Sequence, residues 1–241
     1  MARKKTDKIV FEHVEVLDAG AKGVCVAKAP DGKVIFIPNV VPGDVVDVQT
    51  VKKRKAYYEG RATQVHTFSE HRVEPVCDHF GSCGGCKWQN MAYSQQLVYK
   101  QQEVYNHLKR IGKIELPEFD PILGSKEQFF YRNKMEFSFS NARWLTPEEI
   151  QSGEELGKEN ALGFHIPKMW DKILDIKKCW LQGDPSNDIR NEIREFANQH
   201  QMEFFNPREN TGFLRTLMIR TASTGEIMVL IQFFKEDKAQ R

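Results

Sequence analysis

Three cysteines fall within ten residues, at Cys77, Cys83 and Cys86, and this C-x5-C-x2-C loop constrains the chain more than any other feature. The same loop holds Gly81, Gly84 and Gly85, which let the backbone bend around an object and aim its amides inward. Thiolate metal sites normally take four ligands, so three cysteines on one loop predict a fourth elsewhere. Two remain, Cys25 and Cys179. Cys25 lies in Val24-Cys25-Val26-Ala27, where a free cysteine behaves as a small buried hydrophobe. Cys179 is the better ligand: it ends a predicted strand after Ile176-Lys177-Lys178 and precedes Trp180, which can shield a bound centre from water. Thiolates bind zinc and iron–sulfur clusters alike. Zinc sites usually come as two separate C-x2-C knuckles, whereas three ligands on one loop plus a distant one is a common cluster arrangement. The spacing therefore leans toward a cluster and leaves zinc open.

Five cysteines, an odd number spaced in this way, argue against a disulfide framework. Residues Met1 to Lys8 lead into strand-like sequence instead of an apolar signal segment, and no apolar run approaches the roughly 18 residues of a membrane span. A soluble cytoplasmic chain is expected. With 241 residues, 40% hydrophobic and 28% charged, it has ample material for a core, which excludes a disordered class.

Ahead of the cysteine loop, Ile9 to Val16, Val24 to Ala27, Val34 to Ile37, Val45 to Val51 and Tyr57 to Val65 read as short strands. Gly20 and Gly23, Asp31-Gly32, and Pro42-Gly43-Asp44 punctuate them as turn formers. Strands this short and evenly spaced predict an OB-like barrel. Basic residues concentrate here: up to His66 there are 12 Lys and Arg against 8 Asp and Glu, in a chain of formal net charge +2. Lys52, Lys53, Arg54 and Lys55, followed by Tyr57-Tyr58, form a loop suited to phosphates and bases, since cations attract the backbone and aromatic faces stack on unpaired bases. A solvated hairpin tip with both tyrosines packed inward fits the same residues. Leu17 to His66 resembles the TRAM domain, the small RNA-binding barrel of tRNA- and rRNA-modifying enzymes. The resemblance rests on Gly20 with Gly23, on Val34-Ile35-Phe36-Ile37-Pro38, and on Val41-Pro42-Gly43-Asp44 leading into the basic loop.

Polar Thr67 to Pro75 reads as a linker. Tyr93 to Ile111 is predicted as a helix, with Leu97, Val104, Leu108 and Ile111 as a core-packing stripe and Gly112 as its stop. After Pro117 to Pro121, strands are expected near Gln128 to Ser140, Ala161 to His165 and Ile173 to Lys178. A helix then follows, capped by Asp184 with Pro185 at its first position and Ile189, Ile193 and Phe196 along one face. Phe213 to Thr221 and Ile227 to Phe234 read as a hairpin joined at Ser223-Thr224-Gly225. The expected fold class is α+β: an OB-like barrel over residues 1–66, a cysteine-loop and helix segment over 67–116, and a mixed α/β central domain over 117–241.

The barrel, the cysteine loop and Tyr131-Arg132-Asn133-Lys134 together resemble the RNA uracil-5-methyltransferases, closest to the 23S rRNA branch that carries a cluster, over almost the whole chain. Tyr131 to Phe139, Leu162-Gly163-Phe164-His165 and the run Leu214 to Arg220 look like that family's central domain, which flanks the bound RNA. The resemblance implies that Cys77, Cys83, Cys86 and Cys179 hold one [4Fe-4S] cluster, and Cys25 has no counterpart; with three ligands on one loop and the fourth about 90 residues on, its expected role is mainly structural, tying the loop to the α/β region. Candidate RNA contacts are Lys52, Lys53, Arg54, Lys55 and Tyr57, with Arg132, Lys134, His165 and Arg220 as weaker ones, because strand-borne charges often pair with acidic neighbours. The implied methyl donor is S-adenosylmethionine and the implied partner is 23S rRNA, with tRNA the other option. A monomer without membrane association is expected.

Methylation at carbon 5 of uracil needs a nucleophile at carbon 6, which in this family is a cysteine thiolate. It also needs a base for the carbon 5 proton and a dry cofactor pocket, usually on a glycine-rich strand-to-helix turn. With four cysteines matched as ligands and Cys25 expected to be buried, no catalytic residue is expected in this chain. The family's methyltransferase domain begins roughly where these residues end, so Arg241 is expected to be a fragment boundary and the chain alone to be inactive. Two other readings use the same residues: a stand-alone iron–sulfur protein that binds RNA or does redox chemistry, and a zinc-stabilised structural module. The redox version would call for a second cofactor site, and none is visible in the sequence.

Overall fold

The computed structural model describes residues 8–153 and 159–235. The chain forms two compact units, one built from the chain up to Val76 and from Cys86 to Ser125, the other from Cys77 to Gly85 and from Lys126 onward.

In the first unit, alternating apolar and polar residues dictate strands with one dry face. β1 (Val10–Ala19), β2 (Val24–Lys28), β3 (Val34–Pro38), β4 (Val45–Lys53) and β5 (Tyr57–Thr67) close into the expected barrel in the order β1-β2-β3-β5-β4. β3 and β5 run parallel and the other pairs antiparallel. Every second residue points inward, so Cys25, Ala27, Ile35, Ile37, Val46 and Val48 make the core. Each buried valine or isoleucine contributes about 1.5–3 kcal/mol. β2 turns into β3 at Gly32 (φ +81°), a left-handed position that favours glycine.

The turn into β4 is locked by a buried carboxylate. Gly43 takes φ +95°, and Asp44, 0% exposed, accepts the N–H groups of Val41 (2.7 Å) and Ser69 (2.9 Å) while pairing with Arg72 at 2.5 Å. The same aspartate therefore fixes both the barrel turn and the chain leaving β5.

The helix expected after the cysteine loop is present as α1 (Tyr93–Asn106), running on into one wider turn at His107–Ile111. Its apolar stripe is not core, contrary to the sequence expectation. None of its residues is buried, and Val104 is 52% and Ile111 76% exposed. The cause is its neighbour, a strap of irregular chain instead of a sheet. Gln101 donates to the Asp120 carbonyl and accepts from the Ile122 N–H, Tyr93 Oη accepts from the Ser125 N–H, and Tyr105 packs edge-on against Phe119.

The second unit is a five-stranded antiparallel sheet in the order β10-β9-β6-β7-β8, with β6 (Lys134–Ser140), β7 (Ala161–His165), β8 (Ile173–Asp175), β9 (Leu214–Thr221) and β10 (Ile227–Phe233). A short helix, α2 (Pro147–Ser152), lies between β6 and β7 in sequence, and α3 (Ser186–Gln199) between β8 and β9. Met135, Phe137, Phe139, Leu162, Leu217 and Ile219 are buried on the face where Arg190 of α3 lies over the Phe137 ring, 5.1 Å from its centroid.

Several boundaries differ from expectation. β6 begins at Lys134, not Gln128, because Phe130 takes the left-handed φ of +57° and its N–H turns to the Trp180 carbonyl. β8 ends at Asp175 and not at Lys178, because the Lys177 carbonyl is taken by Arg190 and Asn191 of α3. Pro185 precedes α3 instead of opening it. Asp184 does not cap α3 through its side chain, since its Oδ1 accepts from Asn187 Nδ2 at 2.8 Å. The buried side of α3 is formed by Ser186, Asn187, Arg190 and Ala197, whereas Phe196 is 55% exposed and stacks on His200.

Candidate functional site

The basic residues of the barrel sit at the hairpin between β4 and β5. The Arg54 N–H donates to the Tyr57 carbonyl, closing a short turn with Lys53, Arg54 and Lys55 exposed. Lys52 is tied to Glu59 at 3.4 Å. The two tyrosines divide. Tyr58 is 3% exposed, packs on Phe11 and donates to Asp31, while Tyr57 is half-buried and edge-on to Phe36 on the outer side of the barrel.

In the second unit, alternation along the strands puts Lys134, Glu136 and Ser138 on the face opposite the buried phenylalanines. Lys134 and Arg220 are cross-strand partners on β6 and β9, and His165 Nε2 lies 3.2 Å from Ser138 Oγ. Three of the predicted contacts therefore share one open sheet face. Lys134 also pairs with Glu136 at 3.1 Å, which satisfies part of its charge. Arg132 is exposed just ahead of β6, its N–H donating to the Leu181 carbonyl.

The cysteine loop meets the segment that carries Cys179. His79 Nε2 accepts the Lys177 N–H at 3.1 Å, and a Cβ on Gly85 would lie 3.9 Å from Leu181. Burial holds His79 below the ordinary imidazole range, in keeping with a neutral ring whose Nε2 accepts. Cys77, Cys83 and Cys179 belong to this second unit and Cys86 to the first. The Gly85 N–H donates to Cys83 Sγ at 3.4 Å, and Gln89 Nε2 donates to Cys86 Sγ at 3.3 Å. Asn187 Oδ1 accepts both the Cys179 N–H (2.7 Å) and Arg190 Nη1 (3.0 Å), and its Nδ2 donates to the Cys179 carbonyl.

Arg190 tests whether an anionic centre fits here. It is 1% exposed, its Nε has no hydrogen-bond partner, and its other donors reach only amide and carbonyl oxygens. Burial pulls its guanidinium down to about 10, opposed by its neighbours Cys179, Asp175 and Asp184. Asp175 and Asp184 already place negative charge near this buried cation, and cysteine thiolates around a metal centre would add to it. The thiol donors and this cation fit such a centre. Neither Asn187 nor Arg190 is legible from sequence, because both read as the polar side of a surface helix.

Cys25 is not part of that centre. It is 1% exposed, donates to the Val40 carbonyl at 3.1 Å, and burial pushes its thiol up to about 12. A thiol so protonated and enclosed is no nucleophile. The barrel also gathers His13, Asp47 and His66, the only three ligand atoms mutually within 4.8 Å among the described residues. Their imidazoles stack at 3.9 Å and 13°, so the in-plane lone pairs do not converge on one ion. The trio is a stacked pair over a carboxylate that is held below its usual range by the His13 N–H and the His66 ring. As for S-adenosylmethionine, every pairing in the second unit's sheet is antiparallel, so the described residues do not form the parallel strand-to-helix turn that usually cradles such a cofactor.

Residues 12–63 match the TRAM domain family. An uncharacterized RNA methyltransferase of Bacteroides thetaiotaomicron is 54% identical over 211 residues, covering 88% of this chain and 46% of the relative. One from Porphyromonas gingivalis is 46% identical over 233 residues, covering 95% and 50%. The crystal structure of Pyrococcus abyssi tRNA (uracil-54, C5)-methyltransferase in complex with S-adenosyl-L-homocysteine superposes with a TM-score of 0.63 at 25% identity, covering 94% of this chain and 47% of that one. Over 88–95% of its length the chain is related to RNA methyltransferases, and it shares the fold of part of a tRNA uracil-C5 methyltransferase. It spans about half the length of the curated relatives it matches.

Proposed function

We propose that this chain supplies the RNA-engaging and iron–sulfur parts of an S-adenosylmethionine-dependent uracil-C5 methyltransferase acting on 23S rRNA. The observation that carries the RNA half is the pair of cationic surfaces: the exposed Lys53-Arg54-Lys55 tip of the TRAM barrel and the open sheet face with Lys134 opposite Arg220. Such surfaces bind phosphates with little sequence preference and position the substrate.

Cys77, Cys83, Cys86 and Cys179 are the proposed ligands of a [4Fe-4S] cluster. Arg190 supports an anionic occupant. The loop spacing favours the cluster over zinc, since zinc sites usually come as two separate C-x2-C knuckles. When bound, the cluster would cross-link its four cysteines with one thiolate on each iron, leaving no open iron for substrate. With those four committed and Cys25 enclosed, the described residues hold no thiol for attack on uracil carbon 6, and the chain alone is proposed to be inactive in methyl transfer.

Two measurements test this. The quadruple Ala variant of Lys52, Lys53, Arg54 and Lys55 should bind a structured 23S rRNA fragment with a salt slope shallower by about 2–4; an unchanged slope removes the hairpin tip from the footprint. Anaerobic purification should give a brown protein with about four irons per chain, lost in Cys179→Ser. A colourless protein with one tightly held zinc would overturn the cluster.

A further inference from the structure

Large aromatic side chains in water are costly unless they have a use, and the second unit displays a group of them beside Cys179. Phe129, Phe130 and Tyr131 are consecutive. Phe130 is 44% and Tyr131 61% exposed. Trp180 lies behind them, its ring centroid 5.5 Å from that of Phe130 and 5.9 Å from that of Phe129. Lys178 Nζ sits over the Trp180 ring at 4.1 Å. Trp180 is thus engaged by two phenylalanines and a cation, and Phe130 and Tyr131 are the rings that face water.

The display is built in and is not a frayed loop. Phe130 adopts a left-handed φ of +57°, which a bulky residue rarely takes. It is held there by its own N–H on the Trp180 carbonyl (2.9 Å) and by the Arg132 N–H on the Leu181 carbonyl (2.8 Å). A backbone outlier fixed by flanking hydrogen bonds, presenting an apolar ring to solvent, is the kind of feature that persists at binding sites. The local charge selects the ligand. Lys126, Arg132, Lys134, Lys177 and Lys178 lie in the two segments that form the cluster, against Glu127 and Asp184. Lys178 and Arg132 are exposed. Flat apolar rings bordered by cations match a nucleobase whose flanking phosphates are anionic.

We propose that Phe130 and Tyr131, buttressed by Trp180, form a stacking platform for an unpaired base of single-stranded RNA, with Lys178 and Arg132 taking the adjoining phosphates. The site rests on the RNA-binding reading above and adds to it a place where one base is removed from its helix and held by its face. Since every base has such a face, the platform selects single-stranded over paired RNA and is tolerant of sequence.

The test uses the full chain, purified anaerobically, with a fluorescent oligouridine and an abasic sugar-phosphate chain of equal length as probes. Wild type should prefer the oligouridine. Phe130→Leu with Tyr131→Leu, which keeps apolar bulk and removes the rings, should bind oligouridine about tenfold more weakly with an unchanged salt slope, and should bind the abasic chain as wild type does. Tyr131→Phe should retain affinity. Tyr131→Leu alone, at the most exposed position, should show part of the loss, which guards against misfolding of the double variant. Equal wild-type affinity for the two probes, or equal losses on both, would overturn the platform and leave the electrostatic RNA reading standing. Failure of wild type to bind either probe at low salt would sink both.

Discussion

The barrel of the first unit and the sheet of the second each have five strands, and they dispose of apolar side chains in different ways. In the barrel, burial alternates strictly along β3 and from Val45 to Thr50 of β4, and no strand is left at an edge. In the sheet, β7 is buried at Ala161, Leu162 and Gly163 in succession, while β10 at the edge leaves Ile227, Met228, Val229 and Leu230 each 40–44% exposed. A closed sheet gives each residue one inside and one outside, fixed by the period of the strand. An open sheet lets position within the sheet, which is a long-range property, override that period.

The largest effect that sharpens this contrast is expected at Asp44. Its carboxylate is fully buried and satisfied by two backbone N–H groups and Arg72. Asp44→Ala leaves those donors and a guanidinium without a partner, at a cost of about 3–5 kcal/mol. Hydrogen exchange followed by mass spectrometry should show the barrel peptides opening while those of the second unit keep their protection. Equal loss in both would mean that the units unfold as one.

Next in size is Gly163→Ala in β7. A Cβ there would stand 2.0 Å from the Leu174 carbonyl oxygen and 2.8 Å from Ile176 Cγ1, so β7 and β8 must separate. A loss of about 2–3 kcal/mol is expected in urea denaturation. The barrel counterpart, Gly60→Ala, meets a Val48 methyl at 2.4 Å, the end of a side chain that can shift. It should cost about 1–2 kcal/mol. If Gly60→Ala proved the worse of the two, the closed barrel would be the less forgiving architecture.

The sequence made the barrel legible because its strands are set by neighbours: alternating apolar residues, Asp31-Gly32, and Pro42-Gly43-Asp44 each act within a few positions. β7 and the β9–β10 hairpin were legible only as short apolar runs, the hairpin through its Ser223-Thr224-Gly225 turn, while their burial was not. The α1 stripe misled, since periodicity reports that a helix has an apolar side and not that anything covers it. In the candidate site, the cysteines and the cationic strand positions were visible as residue types. Asn187 and Arg190 were not, because their burial depends on α3 packing over Phe137, a contact made across about 50 residues of sequence. The aromatic run Phe129-Phe130-Tyr131 was visible in the sequence, but its exposure follows from the turn at Phe130, which no local signal announces.

The smallest expected effect lies in an element whose signal is wholly local. Thr146-Pro147-Glu148-Glu149 is a capping box with proline at the first helical position. In α2, Thr146 Oγ1 accepts the Glu149 N–H and the Glu149 carboxylate accepts the Thr146 N–H at 2.8 Å. The same carboxylate takes Arg143 Nη1 at 2.7 Å, and these donors hold Glu149 below the usual carboxylate range. A helix of six residues cannot sustain itself through its own hydrogen bonds, so the cap is what keeps it. Thr146→Ala should cost about 1 kcal/mol, with faster exchange confined to the peptide around Arg143 to Ser152, and Thr146→Ser should restore it. Because the box closes on itself within four residues, neither the β7–β8 pairing nor the barrel should register the change. Loosening at Gly163 in Thr146→Ala would show that even this cap belongs to the long-range network of the open sheet.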